Sequence, residues 1–195
     1  TESSAPDTVI VFPLASESSG SSTEIAVVNP APVNARVGLT LYGPDGRAIA
    51  TNDLLMSPYG MIRGSITAIF GSGQDYSNAS HVVARYMPPN IFSQVVNLVG
   101  FEVVRGFVRT SLDAALERVS TRTDWGSLAG IALSTTGNSM TFSHATRDAG
   151  WFSLIGLVNL AEAPQTVTLS YATATNANAG TRSISIPGNG SIRMT

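Results

Sequence analysis

"TEIAVVNPAPVNARVGLTLY", Thr23 to Tyr42, carries two kinds of strand signal in one stretch. "EIAVVN" is a short apolar run, rich in β-branched residues and closed by Asn29, the pattern of a buried strand that ends in a turn. "ARVGLTLY" alternates: Val37, Leu39 and Leu41 point one way, and Arg36, Gly38, Thr40 and Tyr42 the other. Period two means a strand with one face on a core. "GPDGR" (Gly43–Arg47) then reads as a turn, with Pro44 suited to its first central position.

The same writing returns as "SLIGLVNLAEAPQTVTLSYA", Ser153 to Ala172, after a shift of 130 residues. The match runs ungapped from Val11–Ser65 onto Thr141–Thr195. Phe12 falls on Phe142, Asn29 on Asn159, Val37 on Val167, Leu39 on Leu169, Gly60 on Gly190 and Arg63 on Arg193. Equivalent turn residues at equal spacing read as duplication of one supersecondary unit. "TNDLLMSPYGMIRGSI" and "TRSISIPGNGSIRMT" both read as strand, tight turn, strand, which is a hairpin signature. Each copy thus offers about five strands with short connections, the raw material of a sandwich.

The segment between the copies is different. "SITAIFG" fits one short helical turn, and "HVVARYM", "SQVVNLVGFEVVRGFVRT" and "LAGIALST" read as strands. Leu112, Ala115, Leu116 and Val119 fall at helical spacing, so one short helix is expected near 111–120, capped by Thr110 or Ser111. The expected fold is all-β, mainly an antiparallel β-sandwich of Ig-like appearance. The expected organisation is a flexible segment 1–8, a first β unit 9–65, a middle segment 66–138 and a second β unit 139–195. The second unit has no middle segment after it. Either the two units pack around the middle segment into one compact body, or a neighbour completes the second. Compact packing is the default for a soluble domain.

The totals exclude several function classes. Hydrophobic residues make up 43% of the 195, enough for a packed core. Charged residues are only 12% and the net charge is −2, which argues against a nucleic-acid binder or a polybasic membrane anchor. The chain has no cysteine and no lysine; all 11 basic residues are arginine. Disulfides, thiolate nucleophiles, Cys-based zinc sites and Schiff-base chemistry are therefore out. The most apolar region, Ile91–Val108, contains Gln94, Asn97, Glu102 and Arg105 and is too interrupted for a membrane span. The sequence opens at Thr1, as expected once a signal peptide has been removed, although an arbitrary start point would look the same.

Phe12-Pro13, His144, Gly150-Trp151 and Asn29-Pro30, set before an alternating strand and Asp45-Gly46, resemble a repeat of bacterial exported proteins. Its pattern is Phe-Pro-His-x-Ala, Gly-Trp, Leu-Val-Asn-Pro, then Asp-Gly, and each copy here keeps part of it. The resemblance implies a secreted or cell-surface β-sandwich with a structural or adhesive role and no activity to carry over.

No catalytic site is expected, and no cofactor. His81 and His144 are the two histidines, and only Asp148 lies near His144, so a strand-end histidine is favoured over a metal ligand. Asp45 and Asp75 are isolated acids that suit turns better than a calcium loop. "GSGQDYS" (Gly71–Ser77) lacks the residues of a phosphate loop and reads as a connector. Glu102 with Glu117, or Asp113 with Asp124, could pair as a glycosidase requires, but acids are too common for that to count. Trp125, Trp151, Tyr42 and Tyr171 could form a sugar-stacking surface if their rings were exposed in a row. Arg63 and Arg193 are expected to point outward and guard strand edges. The expected function is a non-enzymatic extracellular building block of a surface layer, fibre or larger exported assembly. The alternative is a glycan- or protein-binding adhesion module. Partners are expected through strand edges, including insertion of "TVIVFPLA" (Thr8–Ala15) into a neighbour.

Overall fold

Strand pairing in the computed structural model follows the alternation read along Ala35–Tyr42. The structure describes residues 8–18, 21–90, 93–105, 125–129, 131–132, 147–148, 151–152, 155–173, 175–176 and 179–194. In chain order the elements are β1 (Val9–Phe12), β2 (Glu17–Ser18), β3 (Ser21–Val28), β4 (Ala35–Tyr42), β5 (Ala48–Met56) and β6 (Met61–Ser65). There follow α1 (Ile66–Phe70), β7 (His81–Tyr86), β8 (Val99–Arg105), β9 (Trp125–Ala129), β10 (Ile131–Ala132), β11 (Arg147–Asp148) and β12 (Trp151–Phe152). The last four are β13 (Ile155–Val158), β14 (Gln165–Tyr171), β15 (Gly180–Ile186) and β16 (Ser191–Met194). The expected segment 1–8 and the helix near 111–120 lie largely or wholly outside the described residues.

The fold is all-β and sandwich-like. One antiparallel sheet runs β10-β1-β7-β4-β5; another runs β2-β3-β8-β9, with β6 also paired to β3. Ile10, Phe12, Val37, Leu39, Leu41, Val82 and Ala84 of the first sheet share one buried cluster with Ile25 and Val27 of the second. Burying each of the larger side chains, Ala84 apart, contributes about 1.5–3 kcal/mol. Two-sided order follows from the pleat: along β4, alternate residues from Ala35 to Leu41 are buried and those between are not. Gly100 on β8 lies under the Phe12 ring, where a Cβ would approach the ring carbon Cζ to 2.6 Å, so only glycine lets the two sheets close there.

The short helical turn read in "SITAIFG" is α1, capped by Ser65, whose Oγ accepts from the Ala68 N–H at 3.1 Å.

The hairpin expectation is corrected. β5 pairs with β4 and β6 with β3, so the turn between β5 and β6 crosses from one sheet to the other. The same holds later: β15 pairs with β14, and β16 with β13. A tight Pro/Gly turn specifies a change of direction, but which strand each arm then joins is decided by the two inner faces. The expected use of Thr8–Ala15 as an inserted strand is also corrected. β1 is fully buried in its own sheet, between β7 and β10.

The later strands reproduce the earlier registers. Val28 faces Met61 and Val158 faces Ser191; Val37 faces Leu54 and Val167 faces Ile184. Every one of these numbers differs from its counterpart by 130. The corner is held alike in both places. Asn29 Nδ2 donates to the carbonyls of Val33 (2.7 Å) and Ser57 (2.9 Å), and its Oδ1 accepts from Ala31 N (3.1 Å). Asn159 Nδ2 donates to Ala163 O and Pro187 O, both at 2.9 Å, and its Oδ1 accepts from Ala161 N at 3.0 Å. Tyr59 and Asn189 hold the same left-handed position in the corner, φ 55° and 51°.

Burial separates the two sets. Val37 and Leu39 are sealed, whereas Val167 and Leu169 are half-buried; Leu41 is sealed, whereas Tyr171 in its place is 63% exposed. In the first set β7 lies against β4 and β8 against β3. Among the described residues β14 pairs only with β15, and β13 only with β16.

Candidate functional site

The two strand sets meet at their turns. Ser191 N donates to Pro44 O at 3.1 Å, and the Gly46 and Gly188 turns touch. Beside this contact opens a cleft of about 320 Å³, lined by Ser77–Ser80 and Pro44 on one side and by Ser191, Ile192 and Arg193 on the other. Ser80 Oγ and Ser191 Oγ are in hydrogen-bond contact across it. Arg193 reaches from β16 into the first strand set, where its Nη2 donates to the carbonyls of Ala15 and Ser80, the latter at 2.5 Å. Much of the Arg193 side chain stays in solvent; its tip does the bridging.

Arg193 therefore does not guard an edge as expected. Its counterpart Arg63 does keep to the surface. There its Nε donates to Glu24 Oε1 at 2.7 Å, and Arg105 Nη2 donates to Glu24 Oε2 at 3.1 Å. The difference has a cause in the sequence. Glu24 has Leu154 as its counterpart, so Arg193 has no carboxylate at the matching place.

Gly46 makes this junction possible. Its φ of +84° is a left-handed value, and a Cβ there would collide with the Gly188 carbonyl. Gly46→Ala is expected to lose about 1–2 kcal/mol from backbone strain alone, with a further loss from the displaced turn. Urea denaturation measures it, and a loss no larger than the strain alone would show that the two turns do not hold each other.

Two buried ionisable groups lie behind the cleft. His81 opens β7, is fully buried and stacks on Tyr42, with ring centroids 5.0 Å apart and planes 8° from parallel. Its Nδ1 lies 3.4 Å from Ser80 Oγ, and its Nε2 has no partner among the described residues. Burial, with the Arg193 charge adding to it, pushes the imidazole down to about 4, so it is neutral near pH 7. Glu102 points inward from β8, fully buried. Its Oε2 accepts weakly from Leu14 N at 3.4 Å, and its Oε1 has no partner among the described residues. Burial pushes this carboxyl up to about 8, against the smaller opposing pulls of the Leu14 N–H and Arg193.

Chemically, this cluster is a lock between strand sets. A Ser–His pair needs roughly 2.6–3.2 Å and a third group to orient the base. Ser80 and His81 miss that reach, and among the described residues no carboxylate accepts from His81. Among the described residues no group of three or more His, Asp or Glu could hold a metal ion. Asp45 and Asp75 close turns, accepting from Arg47 N at 3.1 Å and Ser77 N at 2.8 Å.

The candidate sugar-stacking residues have different settings. Tyr42 ends β4, its ring against His81. Tyr171 ends β14, exposed, its ring over Gly180. Trp125 and Trp151 begin β9 and β12, and their side chains lie outside the described residues, as do His144, Glu117, Asp113 and Asp124. Among the described residues no helix is long and apolar enough to cross a membrane.

Sequence reading missed the Ser80–Ser191 and Arg193 contacts and the inward face of Glu102. Only the last left a signal: Gly100, Glu102 and Val104 share one face by period two.

No family model matches this chain, and no curated protein matches it. The crystal structure of Thermotoga maritima 1070 is similar with a TM-score of 0.47 and 11% identity, over 65% of this chain and 95% of that one. A likeness at this level carries no argument about function.

Proposed function

We propose that the chain is a non-enzymatic structural protein, a β-sandwich building block of an exported assembly such as a surface layer or fibre. The observation that carries this reading is the contrast between the two strand sets. Val37 and Leu39 are sealed beneath paired neighbours, while Val167 and Leu169, in matching registers, stay half-buried beside an edge unpaired among the described residues. An incomplete sandwich of this kind is stabilised by contact with another strand. The resemblance of the Phe-Pro, Gly-Trp and Asn-Pro positions to an exported bacterial repeat supports the same reading and a secreted or cell-surface location.

Size-exclusion chromatography with light scattering tests it. The purified chain is expected to run above the monomer mass, increasingly so as concentration rises, and electron microscopy of native material is expected to show a polymer. A clean monomer at high concentration, with no polymer, sinks the reading. The exposed Tyr171 ring favours one second reading, a glycan-binding adhesion module. Binding on a glycan array, abolished by Tyr171→Ala, would move the conclusion there.

A further inference from the structure

Among the described residues β14 is an edge, with few of the usual protections. Its seven residues, "QTVTLSY", contain no charge, no proline and no glycine. Natural edge strands are commonly blunted by such residues or by a bulge. β5, an edge of the first sheet, shows the contrast. It carries Asp53, held 2.6 Å from Arg36, and the β4–β5 ladder has a register shift at Leu41/Tyr42.

Backbone direction settles which groups of β14 face the open side. Tyr171 O accepts from Ala179 N at 3.0 Å, on the β15 side. Carbonyls and amides alternate along a strand, so Thr166, Thr168 and Ser170 turn theirs away from β15. The first strand set shows this side in use: Arg36 O, the counterpart of Thr166 O, accepts from Met87 N at 2.8 Å, and β7 lies antiparallel there. The open edge of β14 is thus built to receive an antiparallel strand.

The sequence of β14 names the strand. About Thr168 its polarity is palindromic: Val167 mirrors Leu169, and Thr166 mirrors Ser170. Two copies placed antiparallel about that residue would set apolar against apolar and hydroxyl against hydroxyl. A two-fold axis at this point gives a self-complementary interface, the commonest symmetry among homo-oligomers. We propose that the open edge of β14 pairs with β14 of a second copy, antiparallel about Thr168, to make a continuous β15-β14-β14-β15 sheet. This rests on the reading that the chain self-associates.

The chain has no cysteine, so one introduced thiol reports one contact. Thr168→Cys is expected to form a covalent dimer on mild oxidation, because hydrogen-bonded partners sit about 5.5 Å apart at Cα. Ser183→Cys, one strand back on the same face, is the control: its two copies would lie three strand spacings apart, about 14 Å, and cross-link several-fold less. Thr168→Pro is the second variant. It removes an N–H that faces the open side and one exposed hydroxyl contact with Ser183 Oγ (3.3 Å), so β14 keeps its backbone ladder with β15 while association weakens at least tenfold. Circular dichroism of Thr168→Pro is expected to match the parent. A chain that is monomeric throughout overturns both this pairing and the reading beneath it. An associating chain that ignores Thr168→Pro, or cross-links equally at 168 and 183, overturns the pairing alone.

Discussion

Asn29→Ala is expected to remove about 3–5 kcal/mol of stability, a large share of the roughly 5–15 kcal/mol that a domain has. Asn29 is fully buried, and its side chain makes three hydrogen bonds, to Val33 O, Ser57 O and Ala31 N. Its backbone N–H also donates to Gly60 O at 2.9 Å. Alanine keeps the last bond and strands Val33 O and Ala31 N, while Ser57 O keeps only the Gly60 N–H at 3.0 Å. A buried polar group left without a partner costs about 1–3 kcal/mol. The position of these bonds adds to the effect. They tie the end of β3 to the corner where β5 leaves one sheet and β6 enters the other, so losing them frees the crossover itself. Asn29→Asp is expected to be worse, because a carboxylate would face two carbonyl oxygens. Asn159→Ala removes the matching bonds and a longer one to Ile186 O (3.3 Å), but from a corner whose strands β13 and β14 are half-buried or exposed, so water can reach part of it and the change should cost about half as much. Guanidinium denaturation measures all three. An Asn29→Ala midpoint equal to the parent's would show that the corner is held by packing and not by the amide.

That corner also shows how far the sequence could be read. The strand identities came from local information: alternation fixed β4, β14 and β15, and an apolar run ending in asparagine marked β3 and β13. The matched asparagines were visible as strand-end residues. Their partners were not, because Ser57 and Pro187 lie 28 residues further along, beyond any turn rule. Pairing was misread for the same reason. "SPYG" and "PGNG" specify a reversal, and only the two faces of the finished core decide that the arms join different sheets. Arg63 and Arg193 hold equal registers yet end in different places, because a glutamate on the neighbouring strand is replaced by leucine. The junction of Ser80, Ser191 and Arg193 spans more than a hundred residues and has no local signature. What the sequence did mark there is Glu102, an acid on the inward side of an alternating strand. A period-two reading that keeps its polar exceptions would have singled it out.

Glu102 gives the other large expectation, a fall in stability between about pH 6.5 and 8. In the folded chain burial holds its carboxyl pKa at about 8, against an ordinary 4.5 when unfolded. Between those values the folded state binds the extra proton, so stability decreases as pH rises, by about 1.4 kcal/mol per unit. His81 works in the opposite sense. Burial lowers it from 6.5 to about 4, so between those values the unfolded state binds the extra proton and stability increases with pH. From pH 4.5 to 6.5 the two slopes nearly cancel. From 6.5 to 8 Glu102 is the one of these two that still titrates, and its loss should reach roughly 2 kcal/mol. Glu102→Gln is expected to abolish that decline, whatever its own absolute stability. His81→Gln should uncover the Glu102 slope from pH 4.5 upward, turning the plateau into a continuous fall. Denaturation midpoints at half-unit intervals measure both. Infrared spectroscopy at pH 7 adds an independent check, because the native chain should show a protonated carboxyl stretch that Glu102→Gln lacks. A flat native profile from 6.5 to 8, or an equal slope in Glu102→Gln, would mean that Glu102 is ionised in the fold, with Arg193 as its counter-charge.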